Sequence, residues 1–286
     1  MSGGNGHRSG GQVLVDQLRI HDVETIFCVP GESYLTVIDA LHDAQNEIKT
    51  VACRQEGGAT NMAEAYGKLT GKPGVAMVTR GPGACNGSIG VHTAMQDSTP
   101  MVIFIGQVAR DQEYREAFQE VDYHKFYGAI CKEVVQIDHA NRVPELVSHA
   151  FHVAASGRPG PVAVSIPEDM QRDMVDVADA RPFTTVRSEV GPQAMADFRG
   201  QLAVSDRPLM IVGGAGWSEK ACADIQAFAE ANAVPVAASF RCQDMFDNMH
   251  ANYAGELGTS ASPKLTARLK EADLLIVVGS RLGEMT

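Results

Sequence analysis

Short apolar runs alternate with segments of helical periodicity along the first 170 residues. The apolar runs, each bounded by turn-forming residues, are TIFCVP, IKTVAC, GVAMVT, PMVIFIG, CKEVVQI and PVAVSIP. Between them, stretches such as SYLTVIDALHDA and VPELVSHAFHVAAS repeat their apolar residues at the spacing of an amphipathic helix. Because the runs are apolar almost throughout, the predicted strands need helices on both faces. The pattern therefore predicts a doubly wound, parallel α/β sheet over residues 11–170.

The pattern stops after residue 170 and then resumes. Residues 171–191 are polar, contain proline and lack periodicity, which predicts a linker between two domains. From residue 192 to residue 286, helical segments alternate with about three apolar runs, PLMIV, VPVAAS and DLLIVVG. This predicts a second, Rossmann-like α/β domain that is incomplete, because so small a sheet lacks the helix needed to cover it. Residues 1–10 are predicted to be flexible.

Composition narrows the class of protein. Hydrophobic residues form 44% of the chain and charged residues 21%, and no window is apolar enough to cross a bilayer, so no membrane partner is expected. The net charge of −11, without a basic cluster, argues against nucleic acid as a partner. The N-terminus lacks the apolar core of a secretion signal, so a cytoplasmic protein is expected. The six cysteines and nine histidines are scattered, which predicts buried free thiols and no metal bound by this chain.

Two glycine-containing stretches carry the candidate chemistry. In CRQEGGA, the Glu56 carboxylate stands directly before two glycines at the start of a predicted helix. In VTRGPGACN, glycines at the end of an apolar run would let a ligand approach a helix N-terminus. Both stretches also have an explanation without a ligand, as a first-turn carboxylate favoured by the helix dipole and as an ordinary strand-to-helix turn. The turn GGAG at residues 213–216 is equally open, because it does not match G-x-G-x-x-G.

Six longer motifs occur in the order and spacing of one enzyme family. They are FCVPGES, CRQEGGA, MAEAYGKLTGKPGVAMVTRGPGACN, QDSTPMVIFIGQV, EAFQEVD and GRPGPVAVSIPEDMQ. This series resembles the pyrimidine-binding domain of thiamine-diphosphate enzymes, and most closely the acetolactate synthase group, over residues 10–170. Residues 208–286 resemble the front part of the same family's central domain.

The resemblance gives the Glu56 carboxylate a catalytic role. In this family the matching glutamate hydrogen-bonds N1′ of the cofactor's aminopyrimidine and favours the 4′-imino tautomer, which then takes the thiazolium C2 proton. A carboxylate withdrawn from water can exchange a proton with a ring nitrogen near neutral pH, and the two following glycines would let the flat ring come close. The residues that match the turn beside the pyrimidine ring are Thr79, Pro82, Gly83 and Asn86.

Three further residues match positions near the reacting centre. Gly31 matches a glycine whose backbone lies close to that centre; without the resemblance, it would be a turn glycine with positive φ. Phe118 and Gln119 match an aromatic ring and an amide over the substrate pocket; alone, they would be a core ring and a surface amide. The resemblance therefore implies catalytic roles for Gln119 and Gly31 beside Glu56.

The resemblance also implies the reaction and its components. Family members decarboxylate a 2-keto acid such as pyruvate on the C2 carbanion of thiamine diphosphate and pass the acyl unit to a second 2-keto acid. They bind the diphosphate and Mg²⁺ through a C-terminal domain with a G-D-G motif, which is missing from these 286 residues. Because the cofactor lies between two subunits, at least a homodimer is expected, and the chain alone is expected to be inactive. Some members hold FAD in the central domain, which makes the GGAG turn and Arg281 a candidate FAD site.

Three residues depart from the acetolactate synthase pattern. Arg80 stands where serine is usual, Gln55 where histidine is usual, and Glu168 where lysine is usual near the substrate entrance. With Glu168 in place of lysine, a positive contact for an anionic substrate becomes a negative one. The protein could therefore instead be an oxidase, an acetyltransferase or a non-oxidative decarboxylase. Arg80 and Glu168 also have a plainer explanation, a changed pairing of surface charges. The alternative from another class is a non-catalytic binding or scaffold module.

Overall fold

The chain forms two compact units, Met1–Arg187 and Ser188–Thr286. A computed structural model describes residues 7–186 and 188–283. The boundary between the units falls inside the polar segment 171–191 that was predicted as a linker.

A parallel sheet forms the centre of the first unit. The strands in the described part of this unit are β1 (Arg8–Ser9), β2 (Thr25–Cys28), β3 (Lys49–Ala52), β4 (Gly74–Val78), β5 (Met101–Gln107), β6 (Glu133–Gln136), β7 (Pro161–Pro167) and β8 (Met174–Val175). Strands β2 to β7 pair in parallel in the order β3-β2-β4-β5-β7-β6 and are called the large sheet below. Each of the six predicted apolar runs contains one strand of this sheet.

Helices cover both faces of the large sheet. They are α1 (Gly10–Ile20), α2 (Leu35–Asp43), α3 (Glu56–Thr70), α4 (Gly81–Asp97), α5 (Tyr123–Tyr127) and α6 (Val143–Ala155). Along β5, Val102 and Phe104 join the core formed with α1, α2 and α6, whereas Met101, Ile103 and Ile105 join the core formed with α3, α4 and α5. Every residue of β4, β5 and β7 is buried. The predicted doubly wound parallel sheet is therefore confirmed.

The start of the chain is tied to the first unit. Strands β1 and β8 pair antiparallel, and Ser9 caps α1 through reciprocal bonds with Gln12. The Arg8 guanidinium donates to Asp16 at 2.6 Å and to Asp179 at 2.9 Å. The prediction that residues 1–10 are flexible is thus wrong for residues 8–10, because a capping box and an ion pair fix them. Residues 1–6 lie outside the described residues.

The first half of the predicted linker also packs on the first unit. Val175, Val177 and Phe183 border the core of that unit. The Phe183 backbone N–H donates to His21 Nδ1 at 3.3 Å, and the His21 ring stacks on Phe151 with 5.0 Å between centroids. Isolated apolar side chains in an otherwise polar segment are enough to hold it, although they produce no periodicity.

The second unit is a smaller α/β layer. Its described elements are α7 (Pro192–Val204), β9 (Pro208–Val212), α8 (Glu219–Asn232), β10 (Val236–Ala238), β11 (Tyr253–Glu256), α9 (Pro263–Glu271) and β12 (Leu274–Val278). The strands pair in parallel in the order β11-β10-β9-β12 and are called the small sheet below. About three strands were predicted, and β11 was missed. Its sequence, YAGE, is only half-buried and is interrupted by Gly255, whose φ is 116°.

Thiols and hydropathy add two observations. Free thiols are found at Cys28, Cys53, Cys85, Cys131, Cys222 and Cys242. The prediction of buried thiols is confirmed for Cys28, Cys131 and Cys242, but Cys53 and Cys222 are only half-buried and Cys85 is exposed on α4. Among the described helices, none combines the length and hydropathy needed to cross a bilayer.

Candidate functional site

The predicted site residues gather at one edge of the large sheet. Strands β2, β4, β5 and β7 are consecutive neighbours, and β3 flanks β2. Because these strands are parallel, the segments that follow them, 29–34, 53–58, 79–86, 108–122 and 168–173, start from the same edge. All the predicted site residues of the first unit lie in these five segments. In open α/β folds the carboxyl edge of the sheet is where ligands bind.

Glu56 is the first residue of α3, and its side chain is half-buried. Gln55 caps the helix, since its Oε1 accepts a hydrogen bond from the Gly58 N–H at 3.0 Å. This cap explains what glutamine does at a position where the family pattern has histidine. Glu56 Oε2 accepts a hydrogen bond from Asn86 Nδ2 at 3.1 Å. Two motifs 30 residues apart thus meet at one carboxylate, and within the described residues its Oε1 has no hydrogen-bond partner.

Glycines let α3, α4 and the strand ends approach one another around Glu56. A Cβ atom added at Gly57 would lie 3.3 Å from the Asn86 carbonyl oxygen, so this glycine serves the packing of α3 on α4. A Cβ atom at Gly83 would lie 3.4 Å from Glu56 Oε1. Gly58 differs, because an added Cβ would meet nothing within 4 Å. The space next to Gly58 on α3 is therefore open.

Thr79 connects the end of β4 to the segment after β2. Its Oγ1 lies 2.9 Å from Ser33 Oγ, a hydrogen bond in which either hydroxyl can donate. A Cβ atom at Gly31 would lie only 2.5 Å from Thr79 Cβ, so no larger residue fits at this position. Gly31 is extended, with φ −149° and ψ 153°, which shows that its explanation by positive φ is wrong. Ser33 was missed, although a serine just after an apolar strand is a signal that could have indicated it.

Two buried side chains hold these strand ends in place. The Tyr34 hydroxyl donates to the Val29 carbonyl, and burial, with smaller effects from Cys28 and Glu56, raises the pKa of Tyr34. Gln171 Nε2 donates to the Ser33 carbonyl at 2.8 Å and to the Ile166 carbonyl at 3.0 Å. Buried polar side chains thus fix the positions of the strand ends at this edge.

The loop after β5 docks on the N-terminus of α4. The Gly81 N–H donates to the Gln119 carbonyl at 3.0 Å, and Arg80 Nη1 donates to the Phe118 carbonyl at 3.4 Å. The Glu120 carboxylate accepts two backbone N–H groups of the same loop, at 2.7 and 3.1 Å. Gln119 has a φ of 66°, and the Phe118 ring is 72% exposed. The interpretation of Phe118 as a core ring is therefore wrong, because the docked loop turns the ring outward.

Arg80 joins three of the segments at the carboxyl edge. Its side chain is buried, and Nη2 lies 2.8 Å from Glu32 Oε1 and 3.5 Å from Glu168 Oε2. Two departures from the family pattern, Arg80 and Glu168, therefore pair with each other. The pairing itself fits the plainer explanation, but Arg80 is not a surface residue. Glu32 was missed in the sequence, where only its place between Gly31 and Ser33 could have indicated it.

Each of the two units contains a match to a known protein family. Residues 8–126 match the family "Thiamine pyrophosphate enzyme, N-terminal TPP binding domain", and residues 196–286 match "Thiamine pyrophosphate enzyme, central domain". The two matches cover 119 and 91 of the 286 residues. The chain belongs to the thiamine pyrophosphate enzymes. The family expected from the motifs is confirmed.

Several curated relatives of this chain are acetolactate synthases. The chain is 36% identical over 284 residues to the acetolactate synthase large subunit of Parasynechococcus marenigrum, with 96% of this chain and 46% of the relative covered. It is 36% identical over 279 residues to the acetolactate synthase isozyme 2 large subunit of Escherichia coli, with 96% and 50% covered. The Lactococcus lactis large subunit is 34% identical over 281 residues, with 96% and 48% covered. The chain spans about half the length of the curated relatives it matches.

The carboxyl edge fits the aminopyrimidine of thiamine diphosphate. A half-buried carboxylate is held at one oxygen by Asn86, and its other oxygen has no hydrogen-bond partner within the described residues. That second oxygen can share a proton with the basic nitrogen of a flat ring. For a metal, the described residues contain no group of three or more His, Cys, Asp or Glu side chains that could hold one.

The glycine-rich turn of the second unit does not indicate FAD. A Cβ atom at Gly214 would lie 2.2 Å from the Gly279 carbonyl oxygen, so this glycine is needed where the turns after β9 and β12 touch. Trp217 Nε1 donates to the Gly213 carbonyl at 2.9 Å. Arg281 follows β12 and is exposed. Packing explains Gly213 and Gly214 without a nucleotide, and the φ of 82° explains Gly216.

Proposed function

We propose that the complete protein containing this chain is a thiamine-diphosphate-dependent carboligase that decarboxylates a 2-keto acid such as pyruvate and transfers the acyl unit to a carbonyl acceptor. The observation that carries the proposal is the hydrogen bond from Asn86 Nδ2 to Glu56 Oε2 at the carboxyl edge, which leaves Oε1 without a hydrogen-bond partner within the described residues. The acetolactate synthases among its relatives support the same reaction class.

The side chains divide the work at this edge. When bound, thiamine diphosphate supplies the electron sink that lets a 2-keto acid lose carbon dioxide. Glu56 holds or releases a proton at Oε1, while Asn86 fixes the direction of the carboxylate. The residues that border the pyrimidine ring in this proposal are Thr79, Pro82 and Gly83. Gly31 brings the backbone close to the reacting carbon, and Phe118 with Gln119 covers the substrate.

Other components come from outside these residues. The diphosphate and Mg²⁺ are bound by a further segment with a G-D-G motif, and that segment belongs to a second copy of the protein, so the working form is at least a homodimer. In this proposal the 286 residues alone are inactive. FAD has no step in the proposed reaction, and the visible absorption spectrum of the purified complete protein tests its presence. A cytoplasmic location remains part of the proposal.

Substitution of the carboxylate at Glu56 tests the proposal. In the complete protein, Glu56→Gln keeps the shape of the side chain and removes its proton exchange, so turnover of pyruvate should fall by about 10²- to 10⁴-fold. Release of carbon dioxide from labelled pyruvate, in the presence of thiamine diphosphate and Mg²⁺, measures this effect. Glu145→Gln is the matched control, because Glu145 is an exposed carboxylate on α6 that pairs with Arg142. Full turnover in Glu56→Gln would refute the catalytic role of Glu56.

A further inference from the structure

We infer that the acceptor of this enzyme is an uncharged aldehyde rather than a second 2-keto acid, an inference that rests on the proposed carboligase function. It comes from the charges at the carboxyl edge of the large sheet. The buried cation at this edge, Arg80, is already neutralised by two carboxylates. An acceptor that keeps a carboxylate would therefore meet excess negative charge where it binds.

The Arg80 guanidinium is already engaged by three protein acceptors. Nη2 serves Glu32 and Glu168, and Nη1 serves the Phe118 carbonyl. Nε has no hydrogen-bond partner among the described residues and is buried. The guanidinium therefore holds three segments together instead of presenting its charge to a substrate.

The net charge of the segments around Arg80 is also negative. The segments that follow β2, β4, β5 and β7, residues 29–34, 79–86, 108–122 and 168–173, contain nine carboxylates and four arginines, an excess of five negative charges. Arg110 is bound to Asp169 at 2.7 Å and to Asp173 at 2.8 Å. Arg115 and Arg172 are exposed, as are Asp111 and Glu116, so water and salt weaken the effect of all four charges on a ligand. No lysine or histidine lies in these four segments.

A negative edge affects the donor and the acceptor differently. The donor's carboxylate leaves as neutral carbon dioxide, so nearby negative charge opposes the bound anion and favours its loss. A carboxylate on the acceptor stays charged from binding to product and is disfavoured throughout. Uncharged aldehydes escape this penalty. The same charges that tolerate decarboxylation thus select against an anionic acceptor.

The reaction balances without an oxidant. The bond between the keto carbon of the 2-keto acid and its carboxylate breaks, and carbon dioxide leaves. The electron pair of that bond forms the new bond to the aldehyde carbon, and the aldehyde oxygen takes one proton from water. One 2-keto acid, one aldehyde and one proton give one neutral α-hydroxy ketone and one carbon dioxide.

A competition between two matched acceptors tests the inference. The complete protein, with thiamine diphosphate and Mg²⁺, receives pyruvate as donor with equal concentrations of 2-ketobutyrate and deuterium-labelled propanal, which differ by the carboxylate. The acidic and neutral hydroxy ketones are separated immediately after quenching, and the label identifies the neutral one. We expect the neutral product to exceed the acidic one by about tenfold at low salt, and by less at about 0.5 M salt.

Variants at Glu168 sharpen the test. Glu168→Gln should shift the product ratio toward the acidic product by about threefold, and Glu168→Lys by about tenfold, because one charge is removed or reversed. Without turnover, oxamate, a carboxylate analogue of pyruvate, should bind Glu168→Lys about tenfold more tightly than wild type in calorimetry. Glu145→Gln is the control and should leave the ratio unchanged, since its carboxylate lies on α6. If Glu168→Lys fails to fold, Glu168→Gln and the salt dependence of wild type carry the test.

The possible outcomes distinguish the proposed carboligase function from the inference about its acceptor. If carbon dioxide is released from pyruvate and the acidic product equals or exceeds the neutral one in wild type, the inference about the acceptor is overturned and the carboligase function stands. If no 2-keto acid releases carbon dioxide, the proposed function fails, and the inference fails with it. Both the carboligase function and the inference about the acceptor are supported if the neutral product dominates in wild type and the ratio shifts toward the acidic product in Glu168→Lys.

Discussion

A central strand of the large sheet and an edge strand of the small sheet differ in how completely they are covered. In β5 of the large sheet, every residue is buried, and alternate side chains enter cores on opposite faces. In β12 of the small sheet, Ile276 is buried in the core with α7 and α8, but Leu275 and Val277 are 42% and 36% exposed. Both runs are equally apolar in sequence. An apolar run thus predicts a strand but not the burial of both its faces.

The difference also separates the regions that carry chemistry. At the large sheet, the strand ends hold the carboxylate of Glu56, its partner Asn86 and the Arg80 cluster. At the small sheet, the corresponding turns are used for packing between Gly214 and Gly279. A site needs side chains whose positions are fixed by their surroundings, and the buried strands β4, β5 and β7 supply that rigidity.

The largest expected effect contrasts equivalent truncations in the two sheets. Phe104→Ala should lower the free energy of unfolding by about 3–5 kcal/mol, because Phe104 is fully buried and leaves a cavity. Leu275→Ala should cost less than about 1.5 kcal/mol, since part of the side chain already faces water. Unfolding in guanidinium chloride measures both, and hydrogen exchange of peptides from each sheet shows where the structure loosens. Equal losses would break the comparison.

A second, smaller effect tests a polar tie in the small sheet. Asn252 Nδ2 donates to the Ala229 carbonyl at 3.1 Å and to the Val234 carbonyl at 3.0 Å, so it joins the end of α8 to the start of β10. Asn252→Ala removes both bonds, while the Ala229 carbonyl keeps its bond from the Val234 N–H, and the change should cost about 1–3 kcal/mol. The control is Asn232→Ala, which removes one exposed bond to the Phe228 carbonyl and should cost less than about 0.5 kcal/mol. Thermal unfolding of the two variants, measured side by side, compares the two losses of stability.

The smallest effect is a pH dependence in the first unit. Burial lowers the pKa of His21, and the effect of Asp22 does not offset it. The folded state thus prefers the neutral ring, which accepts the Phe183 N–H. As the pH falls below about 6.5, the unfolded state binds a proton that the folded state does not, so stability drops by up to about 1.4 kcal/mol per pH unit.

A titration of stability with and without the ring measures this contribution. His21→Gln keeps an acceptor that does not titrate, so its unfolding free energy should change less between pH 7.5 and pH 5.5 than that of wild type. His42→Gln, an exposed histidine on α2, serves as the control and should follow wild type. Identical slopes for wild type and His21→Gln would show that the buried ring does not titrate with folding.

Much of the large sheet could be read from the sequence, and much of the small one could not. All six apolar runs before residue 170 became strands, because buried parallel strands are uniformly apolar and their helices have a clear period. The strand β11 was missed, since three of its four residues, Tyr253, Gly255 and Glu256, are not the aliphatic residues that mark a buried strand. The capping box at Ser9 was missed because the preceding glycines suggested disorder.

At the candidate site, too, some residues could be predicted from the sequence and others could not. The sequence singled out Glu56, Thr79, Gly83 and Asn86 through motifs whose residues lie close together along the chain. It did not reveal Glu32 or Ser33, whose partners Arg80 and Thr79 are more than 40 residues away. It also could not show that Phe118 points outward, because that depends on how the loop after β5 docks on α4.

By itself, the sequence determined which segments are strands and helices, that the large sheet is parallel and covered on both faces, and that a carboxylate opens α3. These features depend on local backbone preference and on the period of apolar residues, both of which are written along the chain. Only the tertiary structure decided that Arg80 pairs with Glu168, that Gly31 must clear Thr79 and that β12 keeps an exposed face. Those contacts depend on which strands become neighbours, and strand order is set by the packing of the whole sheet rather than by any one segment.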